Sequence, residues 1–261
     1  MDSLEMFTNQ LQTTLTGFRN KGLLIYKWQE PKKEKCVESI FDSFVYDPTN
    51  NDPAELQLIL HFRKEFPSVW TEAKDLATRR DLIKWITDNW GCIHSVSEET
   101  IDEYIKVLIS KSYPTSEYIK QNISSFSKCL AFVFPTKYYV YDSRVALALN
   151  CFSWVNNYHH SIVFEKGSPK SPNTAELTQL VEKKIACKTD RLNYLDYCQV
   201  VRRLAGVSDR SDKNYIAAHK IEAELFMLGG WLRDQMTPLL DAHAPDNELE
   251  QHLRSLFLFK Q

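Results

Sequence analysis

Apolar residues recur at mainly helical spacing along this chain. The stretch "DSLEMFTNQLQTTLTGF" repeats them every three or four positions behind a capping Asp or Ser, which predicts a first helix. The same spacing predicts a helix over "DPAELQLILHFRKEFP", which Pro67 should end, and one over "TRRDLIKWITDNWG", which Gly91 should end. "SVSEETIDEYIKVLISK" opens with the capping-box pattern Ser95-x-x-Glu98 and predicts another.

Helical patterns also fill the second half of the chain. "TSEYIKQNI" and "SSFSKCLAFVF" predict two short helices, the second of which should end at Pro135. Asp142 precedes the pattern "SRVALALNCFSWVNNY" and can serve as its N-cap. Further helices are predicted around 174–187, around 189–205 with Asp190 as cap, around 212–235 and around 246–257.

Two short stretches and one loop complete the architecture. "GLLIYKW" and "ESIFDSFVY" are aromatic and β-branched, so they are either strands or buried helix fragments. The polar segment "EKGSPKSPNT" is the best candidate for a linker. We therefore expect a mainly α protein with at most a small N-terminal sheet near residues 22–47. It should form a single unit over 1–261, with an N-terminal part (1–90), a central part (91–165) and a C-terminal helical part (166–261).

Composition excludes several classes of protein. The chain has 261 residues but only 7 glycines, and neither the Rossmann nor the P-loop glycine motif occurs. The acidic, amphipathic beginning lacks the basic and apolar regions of a signal peptide. No apolar run approaches the roughly 20 residues that span a bilayer. We expect a cytoplasmic monomer that does not contact a membrane.

Cysteine and histidine spacing argues against a metal or a cofactor. No two of the six cysteines form C-x-x-C, and none has a histidine at ligand spacing. His159 and His160 are adjacent, so on a helix their rings would point about 100° apart. We expect free, mostly buried thiols, no metal site and no cofactor.

The net charge of −2 conceals an uneven distribution. Residues 106–144 carry a net +4, residues 181–220 also carry +4, and the remainder carries −10. Basic stretches of this kind suit a phosphate-binding face, but they suit solvated helix surfaces equally well.

The order of segments around Asp142 resembles the helix-hairpin-helix superfamily of DNA glycosylases, especially the branch with the 8-oxoguanine glycosylase fold. The segments are "NISSFSKCLAFVF", "PTKYYVY" and "DSRVALAL". In that superfamily a hairpin, a helix and a short extended segment precede an invariant Asp at the start of another helix. Tyr141-Asp142-Ser143-Arg144-Val145 matches that ending, and the resemblance covers roughly 30 residues. Bacterial members of the fold that remove modified bases from phage DNA are similar in the same way.

The resemblance implies roles for individual residues. Asp142 would be the catalytic acid, and Lys128 falls where members with lyase activity carry a nucleophilic lysine. Arg144 falls where the family often places a residue that contacts phosphate. The hairpin glycines are replaced by Ser124-Ser125-Phe126, and the helix that follows is shorter by about one turn. The hydroxyls of Ser125 and Ser127 are then candidate donors to DNA.

The chemistry fits these residue types. Breaking an N-glycosidic bond builds positive charge on the sugar, which a nearby carboxylate stabilises. The base must first be flipped out of the duplex into a pocket where aromatic rings stack on it. Trp90 and Phe126 are the candidates for that pocket, although a core position is the more usual place for a residue such as Trp90.

The resemblance therefore implies an enzyme acting on double-stranded DNA, in repair or in defence against phage. It would hydrolyse N-glycosidic bonds to leave abasic sites and could add AP-lyase activity. Two other classes stay open. One is a helix-hairpin-helix module that binds DNA without catalysis. The other is a metal-dependent nuclease, for which Glu182-x-Lys184 would supply half of a motif.

Overall fold

The computed structural model describes residues 3–27, 31–94, 96–110, 117–158, 162–165, 169, 171–185, 191–207 and 215–257, with the backbone alone for 117–121. Within these ranges the chain is mainly helical, as predicted. The α-helices are α1 (Ser3–Asn20), α2 (Glu38–Ser43), α3 (Ala54–Glu72), α4 (Leu76–Lys84), α5 (Glu98–Ser110), α6 (Glu117–Val133), α7 (Ser143–Val155), α8 (Pro172–Lys184), α9 (Tyr194–Leu204), α10 (Tyr215–Asp241) and α11 (Asp246–Phe257). A 3₁₀ turn covers Lys35–Val37, and a π-helical turn covers Trp85–Trp90.

Contacts group the chain into two compact units. Unit 1 comprises Met1–Ile25, Tyr141–Ser208 and Lys220–Gln261, and unit 2 comprises Tyr26–Val140 and Asp209–His219. Each unit joins segments that are distant along the chain.

Unit 1 is built around α7. Val145 to Val155 are all buried, so this helix is surrounded by protein on every side, as expected for a helix that is apolar all round. Helices α8 and α11 pack against α7, and α1 packs against α9. Phe7 of α1 meets the ring of Phe152 edge-on at 5.2 Å between centroids.

Unit 2 surrounds the π-helical turn. Trp85 is buried and stacks on Phe62 with 4.7 Å between ring centroids, while its indole nitrogen donates to the Lys32 carbonyl at 2.9 Å. Helix α3 packs against α2 and α6, and α5 packs against α4 and α6. The π turn itself contacts α6, so the aromatic core connects the two longest helices of this unit.

Three details of the predicted elements need correction. Pro67 does not end its helix, because α3 continues to Glu72 with Phe66 and Trp70 buried, and this packing offsets the hydrogen bond that proline removes. No strand forms in the described part of residues 22–47, and "ESIFDSFVY" contains the short helix α2. Asn193 caps α9 with a complete capping box. The predicted cap Asp190 lies outside the described residues, as does Ser95.

Candidate functional site

Asp142 caps α7, as the sequence predicted. Its backbone is extended (φ −124°), and one carboxylate oxygen accepts hydrogen bonds from the amides of Arg144 at 2.9 Å and Val145 at 3.1 Å. These amides belong to the first turn of the helix, where backbone N–H groups have no partner within the helix. The carboxylate is therefore held in one orientation at the positive end of the helix dipole.

The surroundings of Asp142 are largely closed to water. The residue is only 8% exposed. Its second carboxylate oxygen lies 3.7 Å from Nε of Arg144, and the guanidinium carbon of Arg144 lies 3.7 Å from the centroid of the Phe226 ring. Arg144 is thus held between an acid and an aromatic face within unit 1. A guanidinium in this position partly balances the negative charge of Asp142.

Two buried phenols lie beside this charge pair. Tyr141 donates a hydrogen bond to the Glu165 carbonyl, and its ring centroid is 4.9 Å from that of Tyr197. Burial raises the pKa of Tyr141 well above its ordinary value, with the charge of Glu165 as the next cause. Burial also raises the pKa of Tyr197, and the charge of Glu222 is the next contribution. Both phenols therefore stay neutral at physiological pH.

Helix α10 approaches α7 closely at Gly229. A Cβ atom added to Gly229 would lie 2.1 Å from the carbonyl oxygen of Arg144, closer than any side chain tolerates. Only glycine permits this contact between backbones. The close approach fixes the first turn of α7, and with it the position of Asp142.

The hairpin expected at Ser124-Ser125-Phe126 does not form, because this segment lies inside the continuous helix α6. Ile123, Phe126 and Leu130 are buried at helical spacing, so one apolar face runs through the expected turn. The serine that stands where the family has glycine bonds within its own helix: Ser125 donates to the Asn122 carbonyl at 3.0 Å. Two predicted short helices are therefore one helix.

The predicted DNA contacts on α6 face the interior of unit 2. Ser127 is fully buried, and the Ser125 hydroxyl lies 2.7 Å from the hydroxyl of Tyr104. Lys128 is 5% exposed, and its amine donates to the Ser124 carbonyl at 2.8 Å. These positions favour a structural role for both serines, while the nucleophilic role of Lys128 stays a prediction.

The two residues expected in a base pocket belong to the core of unit 2. Phe126 is fully buried and packs on Tyr104, with 4.7 Å between centroids. Trp90 is 4% exposed and meets Phe132 edge-on at 4.8 Å, with the guanidinium of Arg63 5.2 Å from its ring. Both placements favour core packing over stacking on a flipped base.

The candidate residues thus fall into two sets. Asp142 and Arg144 meet in unit 1. In unit 2, the aliphatic part of Lys128 runs close to Gly91, next to Trp90: a Cβ on Gly91 would lie 2.8 Å from Lys128 Cδ. Of the predicted basic stretch, Lys111 and Lys120 lie outside the described residues or side chains, and Lys128 is buried. The described residues of this stretch therefore do not form a single basic surface.

Sequence reasoning missed the contribution of α9 and α10 to the surroundings of Asp142. Tyr197, Glu222, Phe226 and Gly229 follow it by more than fifty positions. One signal was present: the pair Gly229-Gly230 interrupts a strongly helical pattern, which points to close packing when it occurs inside a helix.

Several expectations concern groups outside the site. Among the described residues no three His, Cys, Asp or Glu side chains are clustered to hold a metal, and His159-His160 lie outside them.

The nuclease motif falls on α8, where Glu182 pairs with Arg191 and Lys184 pairs with Glu250 at 3.0 Å. No helix in the described part of the chain is long and apolar enough to cross a membrane. The cysteines described are free thiols, and Cys129, Cys151 and Cys198 are buried.

Comparison with known proteins returned no matching family, no matching curated protein and no matching solved structure.

Proposed function

We propose that this protein is a DNA glycosylase that removes a modified or damaged base from double-stranded DNA, with Asp142 as the catalytic carboxylate. The observation that carries the proposal is the placement of Asp142 as a buried N-cap, with one oxygen fixed by two backbone amides. The same placement, an acid at a helix start behind an extended segment, is the part of the sequence that resembles the helix-hairpin-helix glycosylases.

The geometry suits stabilisation of a cationic sugar. A carboxylate that is already oriented needs no reorganisation when positive charge develops on the anomeric carbon, and low exposure strengthens the attraction. The C–N bond breaks and its electron pair leaves with the nucleobase, which takes up a proton from solvent. A water molecule then adds to the sugar cation and gives its proton to the Asp142 carboxylate, which leaves an abasic site. Arg144, two residues later, is the candidate for a phosphate contact that positions the strand.

The proposal is tested by base release. Duplexes carrying oxidised, alkylated or deaminated bases, together with phage DNA containing modified bases, are incubated with the protein in EDTA. Released bases and abasic sites are then measured. We expect release without added metal, since a carboxylate mechanism needs none. The substrate that reacts decides between repair and phage defence. Cleavage that requires a divalent cation and leaves no abasic site would instead indicate a nuclease.

Asp142→Asn is the decisive variant. Asparagine caps a helix about as well as aspartate, and Asn193 does so in this chain, so stability should change by less than about 1 kcal/mol. The loss of the charge should slow base release at least ~100-fold, the scale for losing one key electrostatic group. Asp75→Asn is the matched control, because exposed Asp75 caps α4 through Thr78. Unchanged release by Asp142→Asn would refute the proposal.

Lys128 decides whether strand cleavage can follow. A lysine that attacks the sugar forms a Schiff base, which borohydride reduces to a stable protein–DNA adduct. Loss of such an adduct in Lys128→Ala would support the nucleophilic role. Base release by the wild type without any trapped adduct would make the enzyme monofunctional, and Lys128 would then be a structural residue of α6.

A further inference from the structure

Residues 44–46 of unit 2 form a short extended segment between α2 and the loop that leads to α3. Phe44 has an extended backbone (φ −74°, ψ 127°), and the three residues form neither helix nor turn. Val45 is 83% exposed, more than any other large apolar side chain in the part of the chain that the structure describes, and Tyr46 is 50% exposed. β-branched and aromatic side chains on an extended backbone are typical of a strand.

Helix α3 holds both ends of this segment. At one end, the Ser43 hydroxyl lies 3.0 Å from Nε2 of His61, and the ring of Phe44 lies 5.6 Å from the ring of His61. At the other end, the Asp47 amide donates to Oε1 of buried Gln57, whose side-chain nitrogen donates to the Asp47 carbonyl, both at 3.0 Å. Gln57 and His61 are four positions apart, so they lie on one face of α3. The ends are fixed while the middle stays exposed.

The middle of the segment keeps its backbone hydrogen-bonding groups open. The N–H and C=O groups of Val45 and Tyr46 bond to none of the described residues. In an antiparallel pair, two opposite residues can exchange two backbone hydrogen bonds, so Val45 can form such a pair with a residue of an added strand. An open backbone edge with strand-forming side chains is the feature to which extended peptides bind by strand addition.

The charge around the segment indicates what kind of peptide fits. Residues 38–55 carry a net charge of −5, from five acids and no Lys or Arg. The acids are Glu38, Asp42, Asp47, Asp52 and Glu55. Lys33 offsets part of this charge, since its amine lies 2.5 Å from Asp42 and 3.6 Å from Glu38, but all three side chains are about half exposed and such pairs are weak. The excess of acids repels a nucleic acid or the same segment of a second copy, and it attracts a basic partner.

We propose that residues 44–46 are a docking strand for an extended peptide of another protein, in which apolar, strand-forming residues lie between Lys or Arg residues. The peptide backbone pairs with Val45, its apolar side chains cover Val45 and Tyr46, and its basic ends meet Asp42 and Asp47. Because both ends of the segment are already held by α3, binding requires little further ordering of this chain. The inference goes beyond the glycosylase proposal and does not depend on Asp142.

Peptide binding to the full chain, measured by fluorescence anisotropy, tests the inference. One probe is a pool of labelled heptapeptides with Lys at both ends and Val, Ile, Thr or Tyr between them, and the second pool has Glu at both ends. We expect the Lys pool to bind at least about tenfold more tightly at low salt, and this advantage should shrink at about 0.5 M salt, which screens surface charges. No binding of the Lys pool, or equal binding of the two pools, would overturn the inference.

Val45→Pro tests whether the backbone of this segment pairs with the peptide. Proline removes the N–H that would donate to the peptide, and a residue before proline prefers the extended backbone that Phe44 already has. The melting temperature should therefore stay close to that of the wild type, whereas affinity for the Lys pool should fall at least about tenfold. Val45→Thr keeps the N–H and the branched shape, so its affinity should stay within about twofold of wild type. Full binding by Val45→Pro would overturn the inference.

Two further variants test specificity. Ile109→Thr alters a half-exposed apolar residue of α5 and should leave peptide affinity unchanged. Asp42→Asn combined with Asp47→Asn lowers the charge, and asparagine can keep the turn in which Asp47 accepts from the Thr49 amide. This double variant should bind the Lys pool several-fold more weakly, and unchanged affinity would contradict the basic partner. Sedimentation of the protein alone gives the last outcome: a dimer that dissociates in Val45→Pro would identify a second copy as the occupant and overturn the peptide assignment.

Discussion

The first turn of α7 and the middle of α6 both contain polar and charged residues, but the hydrogen bonds of these residues differ. At the start of α7, the Asp142 carboxylate accepts hydrogen bonds from two backbone amides that have no partner within the helix. In the middle of α6, Ser125 and Lys128 donate to carbonyls of their own helix. A polar side chain at a helix start is therefore oriented by backbone N–H groups that lack a partner within the helix. Inside a helix, a polar side chain instead donates to a backbone carbonyl of the preceding turn.

The largest expected effect concerns the contact that holds α7 in place. Gly229→Ala places a methyl group against the Arg144 carbonyl, and backbone cannot move aside as a side chain can. We expect a loss of about 3 kcal/mol in the free energy of unfolding, the upper part of the range for overpacking. Urea denaturation measures it.

Gly230→Ala provides the neighbouring control. A Cβ at Gly230 meets nothing within 4 Å, so alanine should stabilise the helix by roughly 0.5–1 kcal/mol. Equal stability of the two alanine variants would mean that α10 does not press on the start of α7.

The contact between Gly91 and Lys128 of α6 involves a flexible side chain as well as backbone. Gly91→Ala would bring its methyl group to 2.8 Å from Lys128 Cδ and from the carbonyls of Ile86 and Thr87. The lysine chain can shift but the carbonyls cannot, so we expect a loss of about 2 kcal/mol. In urea denaturation, adding Lys128→Ala should recover part of this loss. No recovery would show that the carbonyls alone produce the clash.

The phenols beside Asp142 predict an alkaline limit to stability. The pKa of Tyr197 is raised in the folded protein, so above about pH 10 the unfolded chain loses this proton while the folded chain keeps it. Stability from Tyr197 is therefore complete below pH 10 and declines above it, by about 1.4 kcal/mol per pH unit. Denaturation between pH 9 and 11 should show a shallower decline in Tyr197→Phe than in wild type; parallel curves would contradict the assignment.

The smallest expected effect concerns the hydroxyls of unit 2. The Tyr104 and Ser125 hydroxyls lie 2.7 Å apart in a buried position. Tyr104→Phe and Ser125→Ala should each cost about 1 kcal/mol, and the double variant should cost clearly less than their sum, because each single change leaves one hydroxyl without this partner. Additive losses would contradict a direct hydrogen bond.

Much of the helical framework was predictable from local pattern. Helices α1, α5, α7 and α11 occur close to where apolar spacing placed them. The errors also have local causes: Pro67 was expected to stop α3, and the two serines of α6 were interpreted as a hairpin from a resemblance. In both places buried apolar residues at helical spacing continue through the interruption. Side-chain burial along a whole face outweighs one unfavourable residue.

The sequence by itself determined that Asp142 begins a helix, because capping involves only the acid and the amides of the next three residues. The tertiary structure alone decided what surrounds that acid. Tyr197 belongs to α9, and Phe226 and Gly229 belong to α10. The contacts of Tyr197 with Tyr141 and of Gly229 with Arg144 join segments that no short pattern relates. Capping is local, whereas burial of charge depends on contacts between distant segments. The sequence therefore predicted the cap at Asp142 but not the residues that surround it.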